Sequence, residues 1–301
     1  SFLLIIVAMV SSNLGGDSEE KPKEVASNTS IPAAPMSPTV IAPATENHVG
    51  IPALEKATDA KSKNVNANKS LAEQFQQTSN YRDFIAYAMQ HPEKGGYTYV
   101  NELSNYCMIV SNWKSPLANS DSTTNLKTLQ RRQNEYDKAK RSCEGVMAKE
   151  NIAASFEYKK DPGIDLAFHQ NGASSAEIED MYKRAFDTND PSVLAFGLIG
   201  SHDADGIMFK GKLYSSTDGS GNGQLMDVAI ALFPCAAGVD CNKPFFANKG
   251  FCIEDDTECV KTYESRILSG LNEAQIERAR ELANSIAEAY RGKNTKSFMR
   301  K

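Results

Sequence analysis

The strongest constraint on the fold is the uneven distribution of aromatic side chains along the 301 residues. Residues 11–69 contain no Phe, Tyr, Trp or Cys, and half of the 12 prolines lie there. Such a segment cannot bury enough apolar surface to offset its loss of conformational entropy, so we predict a disordered tether over 11–69. Residues 70–301 hold 24 of the 25 aromatic residues and all six cysteines, which predicts one folded domain there.

The cysteines predict disulfides and therefore an oxidising compartment. Their number is even, and none lies in the tether or in the apolar run at residues 1–10. That run is shorter than the roughly 20 residues that cross a bilayer. We expect it to be the end of a signal peptide, cleaved near residues 8–11, or the end of a membrane anchor. The prediction is an exported protein, either periplasmic or anchored to the membrane and facing the periplasm.

The cysteines fall into two groups. Cys107 and Cys143 lie in two predicted helices on either side of a polar loop, and we expect them to pair. The others lie close together and allow three pairings, of which we favour two bonds: Cys235 with Cys252, and Cys241 with Cys259. Four thiolates also suit structural zinc, but the spacings of five, ten and six residues lack a close C-x2-C pair. Disulfides that clamp a loop-rich corner are the favoured reading.

Helical periodicity dominates the domain. Apolar residues recur at helical spacing from residue 81 and again from residue 97, and residues 125–149 predict a long helix. Three later helices have clear start signals, namely capping boxes at 174–177 and 272–275 and the N-cap and proline pair Asp190-Pro191. Strand-like alternation is limited to 208–213. The predicted fold class is mainly α, an irregular helical bundle or a short α-solenoid stapled by disulfides.

Two sets of residues resemble known families. The segments EDMYKRAF at 179–186 and DPSVLAFG at 190–197 resemble one helix pair of Sel1-like or tetratricopeptide repeats. The segments HPEKGGY at 91–97 and PCAAGVDC at 234–241, with a helix bearing Cys107 and two further cysteines, resemble a group of uncharacterised proteobacterial envelope proteins. The second resemblance spans most of residues 80–290. It implies helices, disulfides and export, and it implies no activity.

Charge and motifs exclude several functions. The net charge of −5, with acidic and basic residues interleaved, gives no basic stripe for nucleic acid. No serine-hydrolase elbow, P-loop or dinucleotide fingerprint is present, so the catalytic residues are unknown and no organic cofactor is predicted. A protein partner in the cell envelope and membrane attachment through the N-terminal segment are expected.

The clearest ligand motif is DGSGNGQL at 218–225, which resembles a calcium loop. Asp218, Ser220 and Asn222 place oxygen atoms at positions 1, 3 and 5, and a glycine follows at position 6. Position 12 is Ala229 instead of a bidentate Glu, and Asp227 would have to replace it. The competing interpretation is a glycine-rich loop that leads into a helix.

Another polar cluster is His202-Asp203-Ala204-Asp205, which follows a predicted helix. It suggests a metal site or an acid and base pair, although a turn that caps the helix is the favoured reading. We therefore expect a non-enzymatic, envelope-associated interaction or scaffold protein. The alternatives are an exported hydrolase of cell-wall type with a carboxylate pair, and a calcium-binding module at 218–227.

Overall fold

The computed structural model describes residues 69–118, 125–146, 157–170, 172–215, 221–242, 253 and 261–299, all in one compact unit. Only the backbone is described for Tyr158 and for residues 202–205. The predicted apolar run and nearly all of the tether lie outside these ranges, as do Asp218, Ser220, Cys252 and Cys259.

Helices form most of the described structure, which confirms the mainly α fold class. In chain order they are α1 (Leu71–Gln77), α2 (Tyr81–Ala88), α3 (Gly96–Asn112), α4 (Leu126–Ser142), α5 (Pro162–Phe168), α6 (Ser175–Asp187), α7 (Pro191–Asp205), α8 (Asn222–Ala236), α9 (Tyr263–Ile267) and α10 (Glu273–Arg291). Short 3₁₀ turns span Pro92–Lys94, Tyr158–Lys160 and Thr295–Phe298. Among the described residues, no helix is both long and apolar enough to cross a membrane.

One short antiparallel hairpin interrupts the helices. Strands β1 (Ile207–Phe209) and β2 (Lys212–Tyr214) pair Met208 with Leu213 at their centre. The two turn residues, Lys210 and Gly211, have φ angles of 49° and 80°. Positive φ at both positions defines a type I′ turn, whose twist matches that of a hairpin. The strand-like alternation noted at 208–213 therefore falls on the two strands of the hairpin.

The predicted helix starts are confirmed by their caps. Ser174 and Asn272 each form a capping box with the residue three positions later, and Asp190 accepts from the Ser192 N–H at 3.0 Å. Two predictions were wrong in extent. The helix expected over 125–149 ends at Ser142, and residues 202–205 form the last turn of α7 rather than a turn beyond it. A glycine with a positive φ follows each helix end, Gly145 at 72° and Gly206 at 78°, which is a common way for a helix to terminate.

Buried side chains form two clusters that share one pair of helices. The N-terminal core comes mainly from α1, α2 and α3, and the C-terminal core mainly from α6, α8 and α10. Helix α5 contributes Ile164 and Ala167 to the first core and Leu166 to the second. Helix α7 likewise contributes to both, with Val193 and Phe196 in the first and four residues in the second: Leu194, Ala195, Leu198 and Ile199. The α5–α7 pair is therefore the partition between the cores.

Two glycines allow α5 and α7 to approach closely. A Cβ atom on Gly197 would lie 2.6 Å from Leu166 Cδ2, and one on Gly200 would lie 2.5 Å from Ala167 Cβ. Both distances are far inside van der Waals contact, so alanine at either position would force the helices apart. The small residues of α7 thus set the spacing of the partition.

A single buried carboxylate joins the N-termini of α3 and α5. Asp161 is the N-cap of α5, and its Oδ1 accepts from the N–H groups of Gly163 and Ile164 at 2.9 and 3.1 Å. The same carboxylate accepts from the Thr98 N–H at 3.0 Å and the Thr98 hydroxyl at 2.9 Å, in the first turn of α3. The residue before α3, Gly95, supplies no side-chain cap. Asp161 therefore caps two helices at once.

The next residue of α3 makes a similar contact with α7. The Tyr99 hydroxyl donates to Asp190 Oδ2 at 2.5 Å, and both side chains are buried. Burial raises the pKa of both groups, and their mutual repulsion when both are ionised raises that of Tyr99 further. One turn of α3 thus binds the N-cap aspartates of both partition helices.

Replacing Asp161 is expected to cost far more stability than replacing an ordinary cap. Asp161→Ala leaves buried donors of α3 and α5 without an acceptor and should lower the free energy of unfolding by about 3 kcal/mol. Ser174→Ala, which removes an exposed cap of α6 alone, is the matched control and should cost about 1 kcal/mol. Urea denaturation under non-reducing conditions measures both. Equal losses would show that Asp161 does not serve two helices.

Candidate functional site

The described residues enclose a cleft on the C-terminal side of the partition. Its volume is about 350 Å³. The lining comes from six parts of the chain: the end of α5, the segment before α6, α6 itself, the end of α7, the start of β1 and the C-terminal 3₁₀ turn. These residues are Ala167, Phe168, Gln170, Gly172, Ala173, Ser175, Ile178, Tyr182, Ser201, Gly206, Ile207, Met208, Phe298 and Met299. They are all uncharged, so the cleft is suited to a neutral, partly apolar ligand.

Stacked aromatic rings form the floor of the cleft. The ring of Phe298 lies against that of Tyr182, with centroids 5.1 Å apart and an interplanar angle of 24°. Phe298 also packs against Phe209 at 5.1 Å and against Phe186 at 6.0 Å. Burial raises the pKa of Tyr182 to about 12, so its hydroxyl stays protonated at neutral pH. These contacts hold the C-terminal turn against α6 and the hairpin, and so they fix the shape of the floor.

An exposed phenylalanine stands at the rim. Phe168, the last residue of α5, is 54% exposed although its ring packs edge-on against that of Phe196, with ring centroids 6.5 Å apart. Single exposed apolar residues are common, but Phe168 also lines the cleft. The cleft therefore has an exposed apolar group at its mouth as well as apolar groups on its floor.

Polar contacts fix the end of α5 beside the cleft. The Gln170 amide donates to the Ser201 hydroxyl at 2.7 Å and to the Leu166 carbonyl at 3.1 Å. Ser201 in turn donates to the Leu166 carbonyl at 2.9 Å. The Leu166 carbonyl, near the end of α5, thus receives side-chain donors from α7 and from the segment that follows α5. This network positions Gln170 and Ser201 as polar groups in the wall of the cleft.

A buried ion-pair network supports the same corner from behind. Asp165 is 2% exposed, and its two oxygens contact His169 Nδ1 at 2.8 Å and the Arg184 guanidinium. Arg184 also donates to Asp180 at 2.9 Å and to the Lys159 carbonyl at 2.9 Å. Removing one partner of a buried ion pair is strongly destabilising, because it leaves the other charge buried and unpaired. The network therefore holds α5 and α6, which carry the cleft walls, in a fixed relation.

The predicted carboxylate pair of a hydrolase has no counterpart in this cleft. Its lining in the described structure contains no Asp or Glu. The deeply buried carboxylates of the described ranges are Asp161, Asp165 and Asp190, and each is bound by donors that fix helices. Burial raises the pKa of Asp161 to about 6, while its hydrogen bonds act in the opposite direction. These groups hold the fold together, and the hydrolase stays a prediction.

The calcium motif is only partly described. Helix α8 begins at Asn222, position 5 of the motif, so Asn222 and Asp227 are five residues apart within one helix. Five residues correspond to about 140° around a helix axis, which puts the two side chains on different faces. Within the described ranges, no group of three or more His, Cys, Asp or Glu side chains could hold a metal ion. The calcium site, with Asp218 and Ser220 beyond those ranges, stays a prediction.

One predicted disulfide is confirmed and one favoured pairing is wrong. Cys107 and Cys143 are bonded, with Cα atoms 5.3 Å apart, and join α3 to the end of α4. Cys235 bonds to Cys241, with Cα atoms 5.6 Å apart, rather than to Cys252. This second bond removes two of the four thiolates that a zinc site at the cluster would need.

The end of α8 explains the local pairing. Its last turn closes with a Schellman motif, in which the N–H of Val239 bonds to the Pro234 carbonyl at 3.0 Å and that of Gly238 to the Cys235 carbonyl at 3.0 Å. Gly238 has a φ of 112°, a conformation that reverses the chain. The reversal returns Cys241 to the side of Cys235, so the nearest thiol is the one six positions later.

In comparisons with protein-family models, with curated proteins and with solved structures, nothing matched this chain. The resemblances to Sel1-like or tetratricopeptide repeats and to proteobacterial envelope proteins therefore stay predictions. The function has to be inferred from the cleft and the disulfides themselves.

Sequence reasoning missed the cleft and the helix that supports it. Helix α5 begins with Asp161-Pro162, the same N-cap and proline signal that correctly predicted α7 at Asp190-Pro191. That signal could have located α5. The cleft has no equivalent signal, because its residues are scattered from Ala167 to Met299 and meet only in the folded chain.

Disulfide mapping should show both bonds directly. Trypsin with Asp-N puts all six cysteines into different peptides, because Asp240, Lys249 and Asp255 separate those of the C-terminal group. Mass spectrometry without reduction should find the Cys107 peptide linked to the Cys143 peptide and the Cys235 peptide linked to the Cys241 peptide. A peptide that links Cys235 to Cys252 would contradict the structure. A reduced digest is the control.

Proposed function

We propose that this domain is a non-enzymatic binding module of the cell envelope and that the cleft beside Phe168 is its recognition site. The cleft carries the proposal. It combines a preformed apolar floor, a polar group at Gln170 and an exposed aromatic residue at its rim, which is the usual make-up of a ligand site. Its uncharged lining offers no acid, base or metal ligand, which favours binding over hydrolysis.

Two structural features support a pre-organised site. Phe298 is 4% exposed and is fixed by rings on three sides, while the opposite wall is braced by the buried Asp165 and Arg184 pair. A site whose walls are already ordered loses little entropy when a ligand binds. The cleft therefore needs no rearrangement of its floor to accept one.

The disulfides support an oxidising compartment. Bonds such as Cys107–Cys143 and Cys235–Cys241 persist outside the cytosol and are uncommon within it. Together with the apolar run at residues 1–10 and the tether expected from the sequence, they favour export and attachment near a membrane. The tether would then let the domain reach partners away from the membrane surface.

Crosslinking from the rim should capture a partner. The full chain with p-benzoylphenylalanine in place of Phe168, expressed in its source cells and irradiated, should give discrete adducts. The same probe at Leu126, which is 65% exposed and outside the cleft lining, is the matched control and should give none. Adding Ser175→Trp, which places an indole at the mouth of the cleft, should remove the adducts.

Two results would contradict the proposed site. Equal adducts from positions 168 and 126 would mean non-specific contact, and adducts that persist with Ser175→Trp would place recognition elsewhere. Circular dichroism of each variant verifies that the helices are intact. Sequencing of the adducts identifies the partner, and only one that is itself exported supports the envelope assignment.

Thiol capping tests the compartment independently of any partner. When intact source cells are treated with N-ethylmaleimide before lysis, the six cysteines should stay unmodified because they are already oxidised. Reduction before capping is the control and should modify all six. Three or more capped thiols without reduction would contradict export.

A further inference from the structure

One edge of the hairpin has unpaired backbone groups at a residue that lines the cleft. In a two-residue type I′ hairpin, the residues that flank the turn, Phe209 and Lys212, exchange backbone hydrogen bonds, and pairs alternate outward from there. Met208 and Leu213 therefore form the non-hydrogen-bonded pair. The N–H and C=O of Met208 consequently point away from β2. Outside the hairpin, no described residue bonds to either group.

The outer edge of β1 is also the wall of the cleft. Gly206, Ile207 and Met208 all line it, opposite the start of α6. The chain already uses this edge once, because the Lys210 N–H donates to the Ser297 carbonyl at 2.7 Å. The two residues that follow, Phe298 and Met299, line the cleft. Backbone groups of another segment can therefore reach this edge. Within the described chain, the N–H and C=O of Met208 on the same edge have no hydrogen-bond partner.

The chemistry of the cleft specifies what could complete this edge. The N–H of Met208 is a donor and its C=O is an acceptor, with the spacing of an unpaired edge strand. The backbone of an extended peptide can bond to both. The floor below them is apolar, with Ile178 and the Tyr182–Phe298 pair available to side chains that alternate toward it. The lining carries no charge, so a charged side chain directed inward would lose its hydration without gaining a partner.

We propose that the cleft binds an extended, uncharged peptide segment of a partner protein, which adds as a strand to the outer edge of β1. This rests on the proposed function and names the class of ligand that the binding module takes. The peptide backbone pairs with Met208, and every second side chain packs on the aromatic floor. Phe168 and Met299 delimit the peptide segment at the rim of the cleft.

Peptide libraries test the ligand class. The probe is a positional-scanning library of acetylated and amidated octapeptides, whose blocked ends carry no charge, with binding to the full chain read by fluorescence polarisation. Preference for apolar residues should recur at every second position, and Asp or Lys at those positions should lower affinity at least tenfold. Preference at a spacing of three and four would indicate a helical ligand and overturn the proposal.

Proline substitutions test the edge itself. Met208→Pro removes the outward N–H without breaking a hairpin bond and should weaken binding of the best octapeptide about tenfold. Leu213→Pro makes the same change on the outer edge of β2 and is the matched control, expected to bind normally. Met208→Ala keeps the N–H and should bind within about threefold of the parent. Equal weakening by the two proline variants would overturn the proposal.

N-methylated peptides test the backbone pairing without any change to the protein, so the result does not depend on how a variant folds. Methylating each amide of the best octapeptide in turn should abolish binding at the one position that donates to the Met208 carbonyl, because the edge offers a single unpaired acceptor there. Uniform tolerance of N-methylation would overturn strand addition.

The outcomes separate this inference from the proposed function. Discrete adducts at position 168 with no octapeptide binding would retain the binding module and overturn the peptide ligand. Absence of both adducts and peptide binding would overturn the two together. Adducts that identify an exported protein, mapped to an extended apolar segment of it, would support both.

Discussion

The carboxylate of Asp161 is the interaction on which the architecture depends. It lies at the N-termini of two helices, where unpaired N–H groups and the helix dipoles favour negative charge. Burial alone makes an ionised carboxylate unfavourable, and here hydrogen-bond donors offset part of that cost, although the pKa of Asp161 stays raised. Because α3 begins at glycines that cannot cap it, the first turn of α3 depends on a residue 63 positions later in sequence.

Close packing of helices surrounds the Asp161 hydrogen bonds and forms the α5–α7 partition. A Cβ atom on Gly163, in the first turn of α5, would lie 2.4 Å from the Thr98 hydroxyl, and one on Gly95 would lie 2.2 Å from Val193 Cγ2. Small residues therefore occur at each of these close approaches. A larger side chain at any of these contacts would destabilise the fold, since a packed interior has little room to relax. The two cores are held in register by this junction rather than by a disulfide of the described structure, because each such bond lies within one core.

Local chemistry made much of the fold predictable from the sequence. Caps at Ser174, Asp190 and Asn272 depend on neighbouring residues only, and the Cys107–Cys143 bond follows from two adjacent helices. The pairing of Cys235 was mispredicted because it depends on how tightly the chain turns at Gly238. The cleft was beyond sequence reasoning, since nothing in the composition of residues 167–299 shows that six separated segments enclose one space. Helix caps and bonds between neighbouring helices can be predicted from the sequence, because they depend on nearby residues. A cleft formed by segments far apart in sequence can be found only from coordinates.

Helix α5 is only seven residues long, yet it ends in two different environments. Its first turn is fixed at Asp161 to the N-terminal core, and its last residue, Phe168, stands at the mouth of the cleft. Seven residues of helix span about 10 Å. One short helix thus joins the N-terminal core to the cleft that we propose as the recognition site.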